Sequence, residues 1–200
     1  MKIESAEFVL SAGALRECPT DALPELAMSG RSNVGKSSLL NDLLRNRKLA
    51  KVSGTPGKTQ RLNFFLVNGR FHLVDLPGYG YAQAPASARN QWSRMMQGYL
   101  RERRQLVAML QLVDLRHEPS REDREMVAWL VDERVPFCLV GTKADKIAPT
   151  KRRAALRKIA DSLDLPANQA LVPTSAESGD GRTELLGWMG AVVEASEQAS

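Results

Sequence analysis

The chain has 200 residues, 43% of them hydrophobic, which is enough for the packed core of a single domain. No stretch approaches the roughly 18 uninterrupted apolar residues of a membrane span, and Glu4 lies where a signal peptide would have its apolar region. Cys18 and Cys138 form no metal-ligand motif, and Cys138 is expected to be a buried free thiol. We therefore expect a cytoplasmic protein without a membrane partner. Its net charge of +5 suits either a nucleic-acid partner or a solvated basic surface.

Short apolar runs alternate with longer amphipathic stretches, a pattern typical of βαβ units and a mostly parallel sheet. In chain order the pattern predicts strands at residues 26–29, 62–67, 71–75, 106–113, 137–141 and 170–173. It predicts helices at residues 38–44, 88–103, 121–133, 151–162 and 183–195. Asn68-Gly69 between the second and third strands signals a tight hairpin, so that pair should be antiparallel. The predicted fold class is α/β, a mostly parallel six-stranded sheet with one antiparallel hairpin strand and helices on both faces.

We expect one domain over residues 1–200, with its core at about residues 25–195. The segments before Leu26 and after Ala195 are weakly patterned and are expected to fray. The polar stretch at residues 46–60 is rich in Lys, Gly, Ser and Thr, which predicts a long functional loop.

A phosphate-binding loop pattern follows the first predicted strand and opens the first helix. Its residues are Gly30, Arg31, Ser32, Asn33, Val34, Gly35, Lys36 and Ser37, followed by Ser38. Backbone N–H groups and the positive end of the helix dipole would cradle the phosphates. Lys36 would reach the β- and γ-phosphates, and the Ser37 hydroxyl would bind Mg²⁺. The sequence therefore predicts a P-loop NTPase fold.

The base is indicated by a motif at the end of the predicted strand 137–141, namely Thr142, Lys143, Ala144 and Asp145. A carboxylate at Asp145 can accept hydrogen bonds from guanine N1–H and N2–H₂, whereas adenine has no donors in that arrangement. The Lys143 stem can lie along the base. A second segment, which follows the strand 170–173, could supply backbone N–H groups to guanine O6: Thr174, Ser175 and Ala176. The predicted ligand is GTP or GDP.

Two further segments are predicted to sense the γ-phosphate. The segment Asp75, Leu76, Pro77 and Gly78 ends the second hairpin strand. There Asp75 would hold Mg²⁺ through water, and the Gly78 N–H would touch the γ-phosphate. In the loop at residues 53–60, one hydroxyl should complete the Mg²⁺ shell. We predict Thr59, with Thr55 as the alternative.

These motifs together resemble the EngB (YihA) family of bacterial GTPases, which stands beside the Era and TrmE types. The resemblance covers about residues 25–176 and is carried by residues 30–38, 57–60, 63–65, 75–82, 114–117 and 142–145. It implies one small GTPase domain that depends on Mg²⁺, with Ser37 and Thr59 as the metal ligands. It also implies a role in assembling the large ribosomal subunit. The nucleotide-contacting stretch would include Gly57, Lys58, Thr59, Gln60 and Arg61.

Hydrolysis is predicted to depend on Lys36, Thr59 and Gly78, and to be slow. In many GTPases a Gln just after the Asp-x-x-Gly segment orients the attacking water, and here that position is Tyr79. A partner or a cation would then supply the missing stabilisation. Two roles are open for Asn33: it helps to hold a K⁺ ion, as in TrmE-like relatives, or it suits a left-handed turn.

Basic residues gather in the stretches 89–104 and 151–158, and in the predicted loop. The resemblance suggests that the partner is the precursor of the large ribosomal subunit and its rRNA, whose phosphates the charge would suit. We expect a monomeric GTP switch in ribosome assembly. The alternative is a GTP-gated protein-interaction module in cell division and septation, without RNA contact. A phosphotransferase would leave Asp145 without a purpose.

Overall fold

The computed structural model describes residues 1–45, 61–80 and 86–199, with only the backbone described at residues 86–89 and 91. The strands are β1 (Ala6–Ala12), β2 (Glu25–Gly30), β3 (Leu62–Val67), β4 (Phe71–Asp75), β5 (Leu106–Asp114), β6 (Phe137–Thr142) and β7 (Ala170–Pro173). The helices are α1 (Lys36–Leu44), α2 (Ala86–Glu102), α3 (Arg121–Asp132), α4 (Pro149–Ser162) and α5 (Arg182–Gln198). Within the described residues the strands form one sheet, in the spatial order β1-β3-β4-β2-β5-β6-β7.

The central strands β2, β5 and β6 are buried along almost their whole length, because helices cover both faces of the sheet. On one face, α1 and α5 contribute Leu43 and Met189 to the core. On the other face, α2, α3 and α4 contribute Tyr99, Met126 and Leu156. None of the helices in the described ranges combines the length and the apolar character needed to cross a bilayer. The predicted α/β fold is confirmed, and the ends of its five helices differ from the predicted ends by at most three residues.

The predicted antiparallel hairpin is formed by β3 and β4. Asn68 and Gly69 both have positive φ, at 53° and 65°, as a two-residue turn between twisted strands requires. The Asn68 side chain also accepts hydrogen bonds from the backbone N–H groups of Glu4 and Ser5, at 2.8 and 3.1 Å. Because β4 pairs in parallel with β2, β3 is the strand that runs against its neighbours.

The segment before Leu26, which was expected to fray, contains a strand, and the prediction of six strands is wrong. β1 pairs with β3 and adds a seventh strand at the sheet edge. Its register shifts between Phe8 and Leu10, so Val9 bulges out and is exposed. Phe8 therefore packs on one face of the sheet and Leu10 on the other. This switch of faces breaks the period-two pattern by which a strand is recognised.

The carboxyl ends of five strands meet at one edge of the sheet, because β4, β2, β5, β6 and β7 are mutually parallel. The phosphate-binding loop, the segment from Asp75, the segment from Asp114, the guanine motif and the segment from Thr174 each begin at one of these ends. Open α/β sheets bind ligands at this edge. The fold therefore brings segments that are far apart in sequence to one place.

Candidate nucleotide-binding site

The phosphate-binding loop is a tight turn between β2 and α1. A Cβ atom at Gly30 would lie 2.8 Å from Val34 Cγ1 and 3.0 Å from Leu112 Cβ, so only glycine fits there. Gly35, with φ of 105°, is the residue from which α1 starts. Asn33 has φ of 65°, a left-handed value that Asn tolerates. The backbone N–H groups of the first turn of α1 have no helical partners, which makes this end of the helix suitable for phosphate.

The loop is tied directly to the predicted guanine motif. The Thr142 hydroxyl lies 2.6 Å from the Val34 carbonyl oxygen and 3.1 Å from that of Val113. The Lys143 ammonium donates to the Asn33 carbonyl at 2.9 Å. Two neighbouring residues of one motif thus hold two neighbouring carbonyls of the other. The buried Thr142 side chain therefore braces the loop.

Asp114, at the end of β5, braces the same region from the other side. Its carboxylate pairs with Arg116 at 2.8 Å and with Lys143 at 2.9 Å. Burial alone would raise its pKa, but the hydrogen bonds from Arg116 and Lys143 hold the pKa of this carboxyl well below its usual range. Asp114 is therefore ionised and fixes the Lys143 side chain, which in turn holds the phosphate-binding loop.

Asp145 lies in a short 3₁₀ turn, Ala144–Lys146, that directly follows the loop-bracing residues. The Ser175 hydroxyl donates to Asp145 Oδ1 at 2.7 Å, and the Lys146 ammonium lies 3.0 Å from Oδ2. The hydrogen bond from Ser175, and then that from Lys146, lower the pKa of the Asp145 carboxyl. The side chain is therefore an ionised acceptor with both oxygens fixed in direction.

The segment after β7 is shaped around the same serine. The Ser175 hydroxyl accepts from the N–H groups of Glu177 and Ser178, both at 3.2 Å, and the Thr174 carbonyl accepts from Ala144 N–H at 3.0 Å. Within the described part of the chain, no acceptor lies against the N–H of Ala176. That N–H is the donor that this segment leaves for a ligand.

Asp75, at the end of β4, is buried and makes an ion pair with Lys36 of the phosphate-binding loop. Its second oxygen accepts from Asn63 Nδ2 at 3.3 Å, and Ser11 Oγ donates to Asn63 Oδ1 at 2.5 Å. A chain of polar side chains thus runs from the edge strand β1 to Lys36. Ser11 and the Asn63 side chain had no predicted role, although a polar residue within the apolar run of β3 is a usable signal.

The residues after Asp75 run directly along the phosphate-binding loop. Ser32 N–H donates to the Tyr79 carbonyl at 2.8 Å, and Arg31 forms a parallel bridge with Tyr79. A Cβ atom at Gly78 would be in ordinary contact, at 3.4 Å, with the Gly30 carbonyl and with Ser32. Gly78 therefore faces the loop at close range.

Tyr79 itself turns away from the loop into the core. Its side chain is 5% exposed, and its hydroxyl donates to Asp123 Oδ1 at 2.7 Å. Burial raises its pKa well above the usual range, and the Asp123 charge raises it further. A protonated, buried phenol cannot orient water at the loop, so Tyr79 has a packing role there.

The structure brings most of the predicted nucleotide contacts to one edge of the sheet. They are Gly30, Arg31, Ser32, Asn33, Val34, Gly35, Lys36, Ser37, Ser38, Asp75, Leu76, Pro77, Gly78, Thr142, Lys143, Ala144, Asp145, Thr174, Ser175 and Ala176. Arg61 has different contacts, because its guanidinium donates to the Ser11 carbonyl and to Glu17. Five predicted residues lie outside the described ranges: Thr55, Gly57, Lys58, Thr59 and Gln60.

Comparison with known proteins agrees with this geometry. A family model described as a 50S ribosome-binding GTPase matches residues 25–143. A probable GTP-binding protein EngB from Pelotomaculum thermopropionicum is 50% identical over 186 residues, which cover 93% of this chain and 94% of that protein. A probable GTP-binding protein EngB from Heliobacterium modesticaldum is 46% identical over 186 residues, 93% of this chain and 91% of that protein.

Solved structures give the same fold. A crystal structure of a probable GTP-binding protein engB superposes with a TM-score of 0.71 at 21% identity, over 86% of this chain and 99% of that chain. Era in complex with MgGDPNP and a segment of 16S ribosomal RNA superposes with a TM-score of 0.60 at 23% identity, over 84% of this chain and 55% of that chain. The family match, the relatives and the site agree, and the chain belongs to the EngB family of GTP-binding proteins and hydrolyses GTP.

Proposed function

We propose that the protein is a GTP-dependent switch that acts in the assembly of the large ribosomal subunit. The observation that carries the nucleotide part is the bonding of the phosphate-binding loop to the guanine motif through Thr142 and Lys143. The ribosomal part is supported by the description of the matching family as 50S ribosome-binding GTPases. It is also supported by exposed arginines that have no acidic partner in the described part of the chain.

Guanine specificity is assigned to Asp145 and the segment after β7. The ionised Asp145 carboxylate would accept from guanine N1–H and N2–H₂, and Ser175 aims it by donating to Oδ1. The Ala176 N–H would donate to guanine O6. Adenine would leave the carboxylate without donors and would place its amino group against the Ala176 N–H.

The phosphates are assigned to the loop and to the start of α1. Lys36 and the backbone N–H groups there would bind the β- and γ-phosphates. The exposed Ser37 hydroxyl has no partner among the described residues, and the Asp75 carboxylate is close to Lys36. Hydroxyl and carboxylate oxygens are the donors that Mg²⁺ prefers, so these residues fit that ion. Mg²⁺ bound there would neutralise charge on the phosphates, and Thr59, outside the described residues, is the second proposed protein ligand.

Hydrolysis then relies on positioned donors rather than on a side-chain base. The Gly78 N–H is proposed to hold the γ-phosphate together with Lys36, because Gly78 lies close to Gly30 and Ser32 of the loop. The Tyr79 side chain lies in the core, where it cannot reach a water molecule at the phosphates. A slow intrinsic rate is the expected consequence.

The RNA-binding surface is proposed on α2 rather than on α4. Four of the five basic side chains of α4 pair with acidic groups: Arg152 with Asp180, Arg153 with Glu184, Arg157 with Asp161 and Lys158 with Glu118. The fifth, Lys151, is exposed without an acidic partner among the described residues, and on α2 Arg101 pairs with Glu133. Arg94 on α2 is exposed and has no acidic partner among the described residues. Arg16 is also exposed and has no acidic partner among the described residues. It lies next to Leu15, which packs against Gly98 of α2, and Gly98 is one helical turn from Arg94. An unpaired cationic side chain that binds an RNA phosphate releases the counterions condensed on that phosphate.

The test is sedimentation of ribosomal particles from cells depleted of the protein, combined with binding of the purified protein to those particles. We expect precursors of the large subunit to accumulate. Binding should be tighter with a non-hydrolysable GTP analogue than with GDP. Normal particles, combined with a septation defect, would instead support the cell-division alternative.

A further inference from the structure

The segment that carries Gly78 is anchored on both sides of that glycine. On one side, Trp92 Nε1 of α2 donates to the Pro77 carbonyl at 3.0 Å. On the other side, the Tyr79 hydroxyl donates to Asp123 Oδ1 of α3 at 2.7 Å. The Tyr79 ring also lies edge-on to Trp92, with 5.8 Å between centroids. The backbone between these two anchors is therefore fixed relative to two helices.

The Tyr79 anchor is a buried network rather than a single contact, although one buried acceptor in it, Gln111 Oε1, has no partner among the described residues. Gln111 Nε2 of β5 donates to the Tyr79 hydroxyl at 2.6 Å, so the phenol both donates and accepts. Asp123 is held in turn, because its Oδ2 accepts from Ser120 N–H at 2.8 Å in the capping box of α3. Both oxygens of this carboxylate are thus fixed, and the hydroxyl has one place to lie.

The backbone of Tyr79 transmits this position to the phosphate-binding loop. Its carbonyl accepts from Ser32 N–H at 2.8 Å, while its side chain points the opposite way, to Asp123. Gly78 comes directly before it and faces the loop. A shift of the Tyr79 ring would therefore move the Gly78 amide relative to the loop. Catalysis by aligned donors is sensitive to displacements of about 1 Å.

We propose that Tyr79, held by Asp123 and Gln111, is a positioning residue for GTP hydrolysis that aligns the Gly78 amide with the γ-phosphate. This role rests on the assignment of Gly78 under the proposed function. Tyr79 occupies the position where other GTPases have a water-orienting Gln, but it acts from the core side. Its role is to position the neighbouring Gly78 amide and not to orient the attacking water.

Tyr99 provides a matched control. It is also fully buried, and its hydroxyl donates to a buried carboxylate, Glu25 Oε2, at 2.8 Å. Glu25 lies at the amino end of β2, the end of the strand opposite the loop. Tyr79→Phe removes two buried hydrogen bonds, one to Asp123 and one from Gln111, and Tyr99→Phe removes one, to Glu25. Both should lower the melting temperature, but only the first should affect the reaction.

The experiment measures kcat and KM for GTP, GDP affinity and melting temperature on the full-length purified protein. For Tyr79→Phe we expect kcat to fall about tenfold, with GDP affinity and KM within about twofold of the wild type. Tyr99→Phe should keep the wild-type kcat. Trp92→Phe removes the other anchor, the hydrogen bond to the Pro77 carbonyl, and should also lower kcat without changing KM or GDP affinity. If Tyr79→Phe does not fold, Trp92→Phe still tests whether the anchoring of this segment affects hydrolysis.

Unchanged kcat in folded Tyr79→Phe would overturn the positioning role, as would a loss of GDP affinity as large as the loss of kcat. Unchanged kcat in Trp92→Phe would likewise count against it. Gly78→Pro, which removes the amide N–H that the proposal uses, separates this failure from that of the underlying assignment. If folded Gly78→Pro hydrolyses GTP normally, the assignment of Gly78 is wrong. If Gly78→Pro is slow and Tyr79→Phe is not, only the role of Tyr79 is wrong.

Discussion

The Asp145 carboxylate has acceptor oxygens and no proton to donate, and this one-sidedness is the basis of its selectivity for guanine. In Asp145→Asn, the amide N–H₂ would face the guanine N2–H₂ group, whereas the C2 carbonyl of xanthine would accept from it. We expect GDP affinity to fall about a hundredfold and XDP affinity to rise. Equilibrium titration with both nucleotides measures this. Lys146→Ala, which removes the other partner of the carboxylate, is the control and should keep the preference for GDP. Unchanged affinities for GDP and XDP in Asp145→Asn would remove Asp145 from the base pocket.

Asn33 has a backbone role that is now defined and a side-chain role that is open. Its positive φ and its bond to Lys143 explain why a residue that tolerates a left-handed turn stands there. If its exposed side chain also holds K⁺, hydrolysis should be faster in K⁺ than in Na⁺ at equal ionic strength. Asn33→Ala should then abolish that difference, and Asn33→Asp should keep part of it. Equal initial rates in the two salts would leave Asn33 as a turn residue only.

At the scale of elements, the motifs were predictable because each is local. The loop, the guanine motif and the hairpin are contiguous stretches whose chemistry is evident without knowledge of their neighbours. The bonds between them are not local: Thr142 and Val34 are 108 positions apart, and Tyr79 and Asp123 are 44 apart. A hydrophobic period along the sequence does not indicate which distant residues will form a hydrogen bond. The strand β1 was missed for a different reason, since its bulge at Val9 reverses the buried face halfway along.

The anchors at Pro77 and Tyr79 join the Gly78 segment to α2 and α3. The surroundings of Trp92 on α2 should therefore depend on which nucleotide is bound. Trp92 contacts the Pro77 carbonyl, stacks on Trp129 at 6.1 Å and meets the Tyr79 ring. Replacement of GDP by a non-hydrolysable GTP analogue should therefore change the tryptophan emission. Trp188 packs on the opposite face of the sheet, so Trp188→Phe should keep this change and Trp92→Phe should lose it. If the change in tryptophan emission survives in Trp92→Phe, the anchored segment from Pro77 to Tyr79 does not respond to the γ-phosphate.

For the binding of RNA phosphates by the whole molecule, the distribution of charge matters more than the net charge. The net charge of +5 is spread over many basic side chains, but most of those on α4 are already neutralised by acidic neighbours. A guanidinium paired with a carboxylate gains less from a phosphate than an unpaired one, because the phosphate must compete with that carboxylate; for an exposed pair this loss is about 0–1 kcal/mol. Arg16 and Arg94, which have no acidic partner among the described residues, incur no such loss. They also belong to the side of the molecule where α2 contacts the Gly78 segment.

Binding to large-subunit precursors should consequently depend on salt and on these two arginines. The logarithm of the affinity should fall linearly with the logarithm of salt concentration. Arg16→Ala and Arg94→Ala should each reduce the slope by about 1, because each removes one phosphate contact. Arg153→Ala is the matched control: this arginine is exposed but paired with Glu184, and its loss should leave the slope unchanged. Co-sedimentation with purified particles in the presence of a GTP analogue, over a series of salt concentrations, gives the slopes. A slope that falls for Arg153→Ala and not for Arg94→Ala would place the RNA contact on α4, whatever the pairing of its arginines.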